Sequence, residues 1–186
     1  LNQWVLNSFD PNDKTCLEGD KISPAMVGKY IHYKIRFENT GNFAAQNIVV
    51  KDMIDEAMFD VSSLQITKSS HNCFTRIQGN KVEFIFENIN LPFDDENNDG
   101  YVVFKIKTKP TVALNDVLKN KADIYFDYNF PIQTNETQTL VTNALANQSF
   151  DLSHLKAYPN PVHDILNIDD SELVRKVEIF DVDGRL

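Results

Sequence analysis

The sequence predicts an all-β fold built as an antiparallel sandwich, and three observations carry that expectation. From Tyr30 to Thr142 nearly every segment alternates apolar and polar residues, with the period of two that a half-buried strand requires. Asn, Gly and Asp cluster between those segments, where the chain must turn. No segment carries a long helical period.

Each element follows in order. In Tyr30–Glu38 the apolar residues Ile31, Tyr33, Ile35 and Phe37 alternate with His32, Lys34, Arg36 and Glu38, giving one face for a core and one for water. Asn39-Thr40-Gly41-Asn42 then supplies a turn. Ile48 to Lys51 is a short strand, and Met53 to Met58 is long enough for one helical turn. Leu64 to Lys68 and Phe74 to Ile77 are further short strands, with Gly79-Asn80 as the next turn. Val82, Phe84 and Phe86 alternate with Glu83 and Glu87, and Val102, Phe104 and Ile106 with Lys105 and Lys107. Ala122, Ile124, Phe126 and Tyr128 alternate with Asp123 and Asp127, and Thr137 to Val141 closes the set. At least seven short strands in one stretch point to an immunoglobulin-like antiparallel β-sandwich with Greek-key connections, spanning residues 1–143. Its expected core is Ile31, Tyr33, Ile35, Phe37, Phe84, Phe104, Ile106, Ile124 and Phe126.

Residues 144–155 lose the alternation, are rich in Asn, Ala and Ser, and read as an interdomain linker. Strand pattern restarts at 156–186. Pro159 and Pro161 hold the backbone extended, and Val162, Leu166 and Ile168, then Val177 and Ile179, fall on alternate positions. Asp183-Gly184 is a strong hairpin signal, yet only Arg185 and Leu186 follow it. The tail is shorter than the roughly 40 residues an independent core usually needs, so we expect the first strands of a second small β-sandwich and a chain that is a fragment. Leu1 opens without a signal-peptide pattern, which leads us to expect a removed upstream part as well.

Composition narrows the function classes. Apolar residues make up 42% of 186, with 13 Phe and 6 Tyr, enough for a real core. A net charge of −9 argues against nucleic acid and against anionic membrane surfaces. No apolar run approaches the roughly 18 residues of a spanning helix. Cys16 and Cys73 permit one disulfide in an exported protein, and two unpaired core thiols fit equally well.

Two family resemblances rest on specific residues. Tyr158-Pro159-Asn160-Pro161-Val162, then Asp164-x-Leu166-x-Ile168, then Val177-Glu178-Ile179-Phe180-Asp181 ending in Gly184-Arg185-Leu186, resemble the opening of the type A C-terminal sorting domain. Cargo of the Bacteroidetes type IX secretion system carries that domain. The resemblance implies recognition of Tyr158, Pro159, Asn160, Pro161, Gly184 and Arg185 by an outer-membrane translocon. It further implies cleavage by a surface sortase-like protease, attachment to anionic lipopolysaccharide, and a secreted or cell-surface location. Ser8–Lys14, Ile35–Gly41, Gly100–Lys107 and Ile124–Ile132 resemble the immunoglobulin-like module that precedes such sorting domains in Bacteroidetes surface proteins, and bacterial repeat domains with an N-x-G turn. This second resemblance implies a stalk or spacer role and no reaction.

Candidate chemistry is sparse. Asp95, Asn97, Asp99 and Gly100 match the first half of a calcium loop, in which oxygens at alternate positions converge on a hard cation and the glycine permits a sharp turn. Ile106 stands where the twelfth-position Glu belongs, so Asp94 or a distant carboxylate has to complete the shell. The same residues also make an acidic, solvated hairpin loop. Asp10, Asn12 and Asp13 form a second oxygen-rich cluster that reads first as a turn, with Pro11 at its second position. His32, His71, His154 and His163 are scattered, and His71 lies near Cys73 on a strand without forming a pocket. No nucleophile elbow, phosphate loop or dinucleotide fingerprint occurs. Tyr101 and Tyr125 are candidates for a sugar-binding face, or for packing across to a neighbouring strand. The sequence therefore predicts a non-enzymatic, exported surface module with a sorting signal. The competing readings are a calcium-stabilised carbohydrate- or protein-binding module, and the accessory tail of a secreted hydrolase.

Overall fold

The computed structural model describes residues 11–94, 96–143, 156–158 and 167–169. The chain divides into two compact units, Leu1–Leu145 and Ala146–Leu186. In chain order the first unit contains β1 (Lys14–Cys16), β2 (Lys21–Ile22), a 3-10 turn at Pro24–Met26, β3 (Tyr30–Glu38), β4 (Ile48–Met53) and β5 (Phe59–Ser69). There follow β6 (Phe74–Gln78), β7 (Lys81–Phe86), β8 (Asp99–Thr108), β9 (Val117–Asn120), β10 (Ala122–Phe126), β11 (Ile132–Gln133) and β12 (Thr137–Val141).

Two principal sheets form the sandwich. One has the order β1-β3-β8-β5 and the other β11-β10-β4-β7-β6, with β2-β12-β9 as a small third sheet. Register explains the core. β3 and β8 pair antiparallel with Ile31 opposite Ile106, Tyr33 opposite Phe104, Ile35 opposite Val102 and Phe37 opposite Gly100. The inward positions of one strand thus meet those of the next, as a period of two demands. From the facing sheet come Ile48 and Val50 on β4, Val82, Phe84 and Phe86 on β7, and Ile124 on β10. Rings interlock across the gap: Phe84 lies 5.0 Å from Phe104 and Phe37 5.1 Å from Phe86, centroid to centroid. All nine core residues expected from the sequence are buried.

Several details differ from the expectation, each for a local reason. β5 runs over eleven residues, with register shifts against β8 between Asp60 and Gln65 and between Ile66 and Lys68, which blur its alternation. β9 is too short to show a pattern alone. β10 ends at Phe126 because Asp127 takes φ +52°, a left-handed backbone that Asp tolerates better than most residues. Tyr128, assigned by alternation to the inner face, is in consequence fully exposed at 105%. Glu83, assigned to water, is buried and held by Arg76 at 2.7 Å and Lys81 at 3.4 Å. Cys16 and Cys73 are both free thiols.

The second unit has β13 (Lys156–Tyr158) paired antiparallel with β14 (Asn167–Asp169), Ala157 opposite Ile168. Among the described residues no helix is long and apolar enough to cross a membrane.

Candidate functional site

Of the calcium-loop residues, Asp95 lies outside the described residues. Asn97 donates its backbone N–H and its Nδ2 to Asp94 Oδ1, both at 3.1 Å, so the two close a tight turn. Asn98 is buried and donates to Glu38 Oε1 at 2.9 Å, while its carbonyl accepts from Asn39 N. Asp99 stands on β8 opposite Glu38, facing out, where its charge adds to the Asp13 hydrogen bond that chiefly raises the pKa of Arg36. Gly100 is required for a different reason from the one expected. A Cβ there would sit 2.0 Å from the Phe37 ring, so the glycine makes room for core packing. Among the described residues no three His, Cys, Asp or Glu side chains gather as a metal shell would need.

The second oxygen-rich cluster is structural. Asp13 grips Arg36 with both oxygens, Nε to Oδ1 at 2.6 Å and Nη2 to Oδ2 at 2.9 Å, and Asn12 Oδ1 accepts from Glu38 N. Both residues are buried and tie the entering chain to β3. Asp10 lies outside the described residues. His71 bonds Ser70 Oγ at 2.8 Å in the bend after β5, and Cys73 follows in the connection to β6. Burial pushes the Cys73 thiol up to about 11.

Tyr101 and Tyr125 are covered by lysines and do not form an open face. Lys34 and Lys68 lie 5.2 and 5.8 Å from the Tyr101 ring, and Lys51 lies 4.9 Å from the Tyr125 ring and donates to its hydroxyl at 2.7 Å. The three most exposed aromatics among the described residues are elsewhere. Phe43, at 82%, projects from the β3–β4 loop, and Tyr128 and Phe130, at 105% and 97%, from the β10–β11 loop. These loops line neighbouring grooves at one end of the sandwich. Both are pinned: Asn39 Nδ2 donates to Phe43 O and Leu91 O, and the Asp127 carboxylate accepts from Gln46 N and Asn47 N. Aromatic groups are thus presented on ordered turns.

Sequence reasoning missed a polar centre inside the core. Lys14 on β1 and Asp52 on β4 form an ion pair whose two side chains are fully buried. Asn120, at the end of β9 and 4% exposed, places Nδ2 at 3.5 Å from the same oxygen, Asp52 Oδ2. Nζ of Lys14 lies 5.1 Å from the Tyr33 ring centroid and 5.3 Å from that of Phe104. Burial, opposed by Asp52, lowers the pKa of Lys14, and burial, opposed by Lys14, raises that of Asp52. Asp52 Oδ1, Asn120 Oδ1 and the Tyr33 hydroxyl have no hydrogen-bond partner. Thr137, close to that hydroxyl, gives its proton to Asn120 O instead. Parity was the available signal. Asp52 continues the inward series Ile48, Val50 on β4, and Asn120 shares the inward parity of Leu118 on β9.

Of the sorting residues, Tyr158 ends β13, while Pro159, Asn160, Pro161, Gly184 and Arg185 lie outside the described residues.

Comparison with known proteins bears on both units. Residues 156–186 match the model of the secretion system C-terminal sorting domain. The protein therefore carries a type IX export signal and is destined for the cell surface or the medium. No curated protein matches the chain. Among solved structures, domains D2 and D3 of the major pilin SpaD from Corynebacterium diphtheriae align with TM-score 0.53 and 19% identity over 69% of this chain and 52% of that one. The N-terminal domain of the Streptococcus gordonii adhesin Sgo0707 aligns with TM-score 0.54 and 17% identity, over 71% and 33%. The C-terminal domain of the Streptococcus pyogenes antigen I/II-family protein AspA gives 0.50 and 12%, over 72% and 47%. The chain spans about half or less of each of these structures, and at such identity the likeness establishes the immunoglobulin-like fold alone. Residues 10–140 match the family described as a domain of unknown function, DUF7619, and the chain belongs to that family.

Proposed function

We propose that this chain is a non-catalytic stalk or adhesion-type module of an exported surface protein, with residues 1–143 as the module, 144–155 as a cleavable linker and 156–186 as the sorting signal. The outer-membrane translocon recognises that signal and a surface sortase-like protease removes it. The observation that carries the reading is the order of its parts: an immunoglobulin-like sandwich followed directly by a sorting domain. A fusion of a periplasmic reporter to the complete sorting domain that opens at Lys156 tests it in a type IX-competent cell. The reporter is expected at the surface or in the medium, and in the periplasm when the translocon is deleted. Periplasmic retention in both strains sinks the reading.

One observation favours a second reading, a carbohydrate- or protein-binding module. Phe43, Tyr128 and Phe130 form an exposed aromatic rim on pinned loops, the kind of surface that buries well against a partner. The double variant Tyr128→Ala, Phe130→Ala is expected to keep its Tm and lose adherence to host or biofilm surfaces. Unchanged adherence removes this reading. Calcium at Asp95, Asn97 and Asp99 belongs to it too, and calorimetry at millimolar calcium, the weak end for extracellular modules, decides that point.

A further inference from the structure

Lys14, Asp52 and Asn120 reach the same point in the core from three strands of three different sheets. As a purely structural centre they are poorly designed. A buried network is tolerable when every member is satisfied, and this one leaves Asp52 Oδ1 and Asn120 Oδ1 without partners, with the unpaired Tyr33 hydroxyl buried in the same core. The groups present are an amine, a carboxyl and a carboxamide, enclosed by aromatic rings that keep water out. One oxygen, Asp52 Oδ2, contacts both the Lys14 amine nitrogen and the Asn120 amide nitrogen. An acid placed between a nucleophile and a leaving group is the arrangement that proton shuttling needs.

We propose that Lys14 and Asn120 become joined by an intramolecular isopeptide bond, formed without any cofactor and assisted by Asp52. Lys14 Nζ, as the neutral amine, attacks Cγ of Asn120. Asp52, as the carboxylic acid, donates a hydrogen bond to the otherwise unpaired Asn120 Oδ1 and stabilises the charge that develops there. The Nζ–Cγ bond forms, the Cγ–Nδ2 bond breaks, and Asp52 carries the surplus amine proton to the departing nitrogen. Ammonia leaves, one amide replaces another, and Asp52 ends in its starting state. No oxidation occurs and no co-reactant is consumed. The protonation states required are those that burial favours, since desolvation disfavours both the ammonium and the carboxylate. The dry surroundings also protect the product from hydrolysis.

Intact-mass spectrometry on the purified full chain tests this. The folded protein is expected to weigh less than its sequence by one ammonia, and proteolytic fragments to include a branched peptide joining Lys14 to Asn120. Lys14→Met, Asn120→Ala and Asp52→Asn should each restore the full sequence mass. Peptide mapping of the unsubstituted protein decides the matter even where a variant fails to fold. A full sequence mass in the folded protein overturns the proposal. So does a loss of water, which would mark a Lys14–Asp52 link, or an ammonia loss that persists in Lys14→Met. Cross-linking that survives in Asp52→Asn removes the role given to Asp52.

Discussion

Gly100 shows how a residue's environment can replace the role its neighbours suggest. It sits in an acidic turn sequence, yet what fixes it is the ring of Phe37 pressed against its α-carbon. Gly100→Ala should therefore destabilise the sandwich by about 1–3 kcal/mol, as overpacked cores do, measured as a lower urea midpoint with unchanged slope. Glu83 yields a pH prediction. Its hydrogen bond from Arg76, and then that from Lys81, hold its carboxyl below the usual carboxylate range. A depressed folded pKa means stability present above the unfolded value and lost as pH falls through the folded one. Arg76→Gln should accordingly narrow the gap between urea midpoints at neutral and at acid pH. Cys73, raised to about 11, should react slowly with iodoacetamide at pH 8, because little of it is thiolate there.

At the scale of elements, legibility followed periodicity. β3, β7, β8 and β10 were readable because each sets an apolar face on the core and a polar face on water, and all nine residues assigned from them are inside. Where backbone conformation overrides pattern, the reading failed. Alternation carries Tyr128 inward on paper, but the strand ends two residues sooner, at Phe126, where Asp127 takes a positive φ. The Asp127 carboxylate also caps the start of β4 through Gln46 N and Asn47 N, so Asp127→Ala should cost about 1–3 kcal/mol. A parallel denaturation series would check it. The polar centre escaped notice because a lysine, an aspartate and an asparagine read as surface residues, although their parity placed them inward. The aromatic rim was missed because the sequence cannot show which loops meet at one end of a sandwich.

For the whole molecule the two compact units are separable in the chain. Removing residues 156–186 should leave thermal unfolding of the first unit nearly unchanged, since that unit encloses its own core. A link from Lys14 to Asn120 would close a loop of order 100 residues, worth about 4–5 kcal/mol in the chain-entropy model. Its loss in Lys14→Met should lower Tm by roughly 10–20 °C, read by calorimetry. Such a bond would also let tension pass from the first strand to the ninth without stretching the strands between, a property suited to a stalk outside the cell. The sorting domain makes the more basic statement, that this module works at the surface. The direct measurement is the C-terminus of the mature protein, identified by mass spectrometry in fractionated cells. The account predicts a surface or medium fraction whose chains end within residues 144–155. Chains that stay in the periplasm with the tail intact would contradict it.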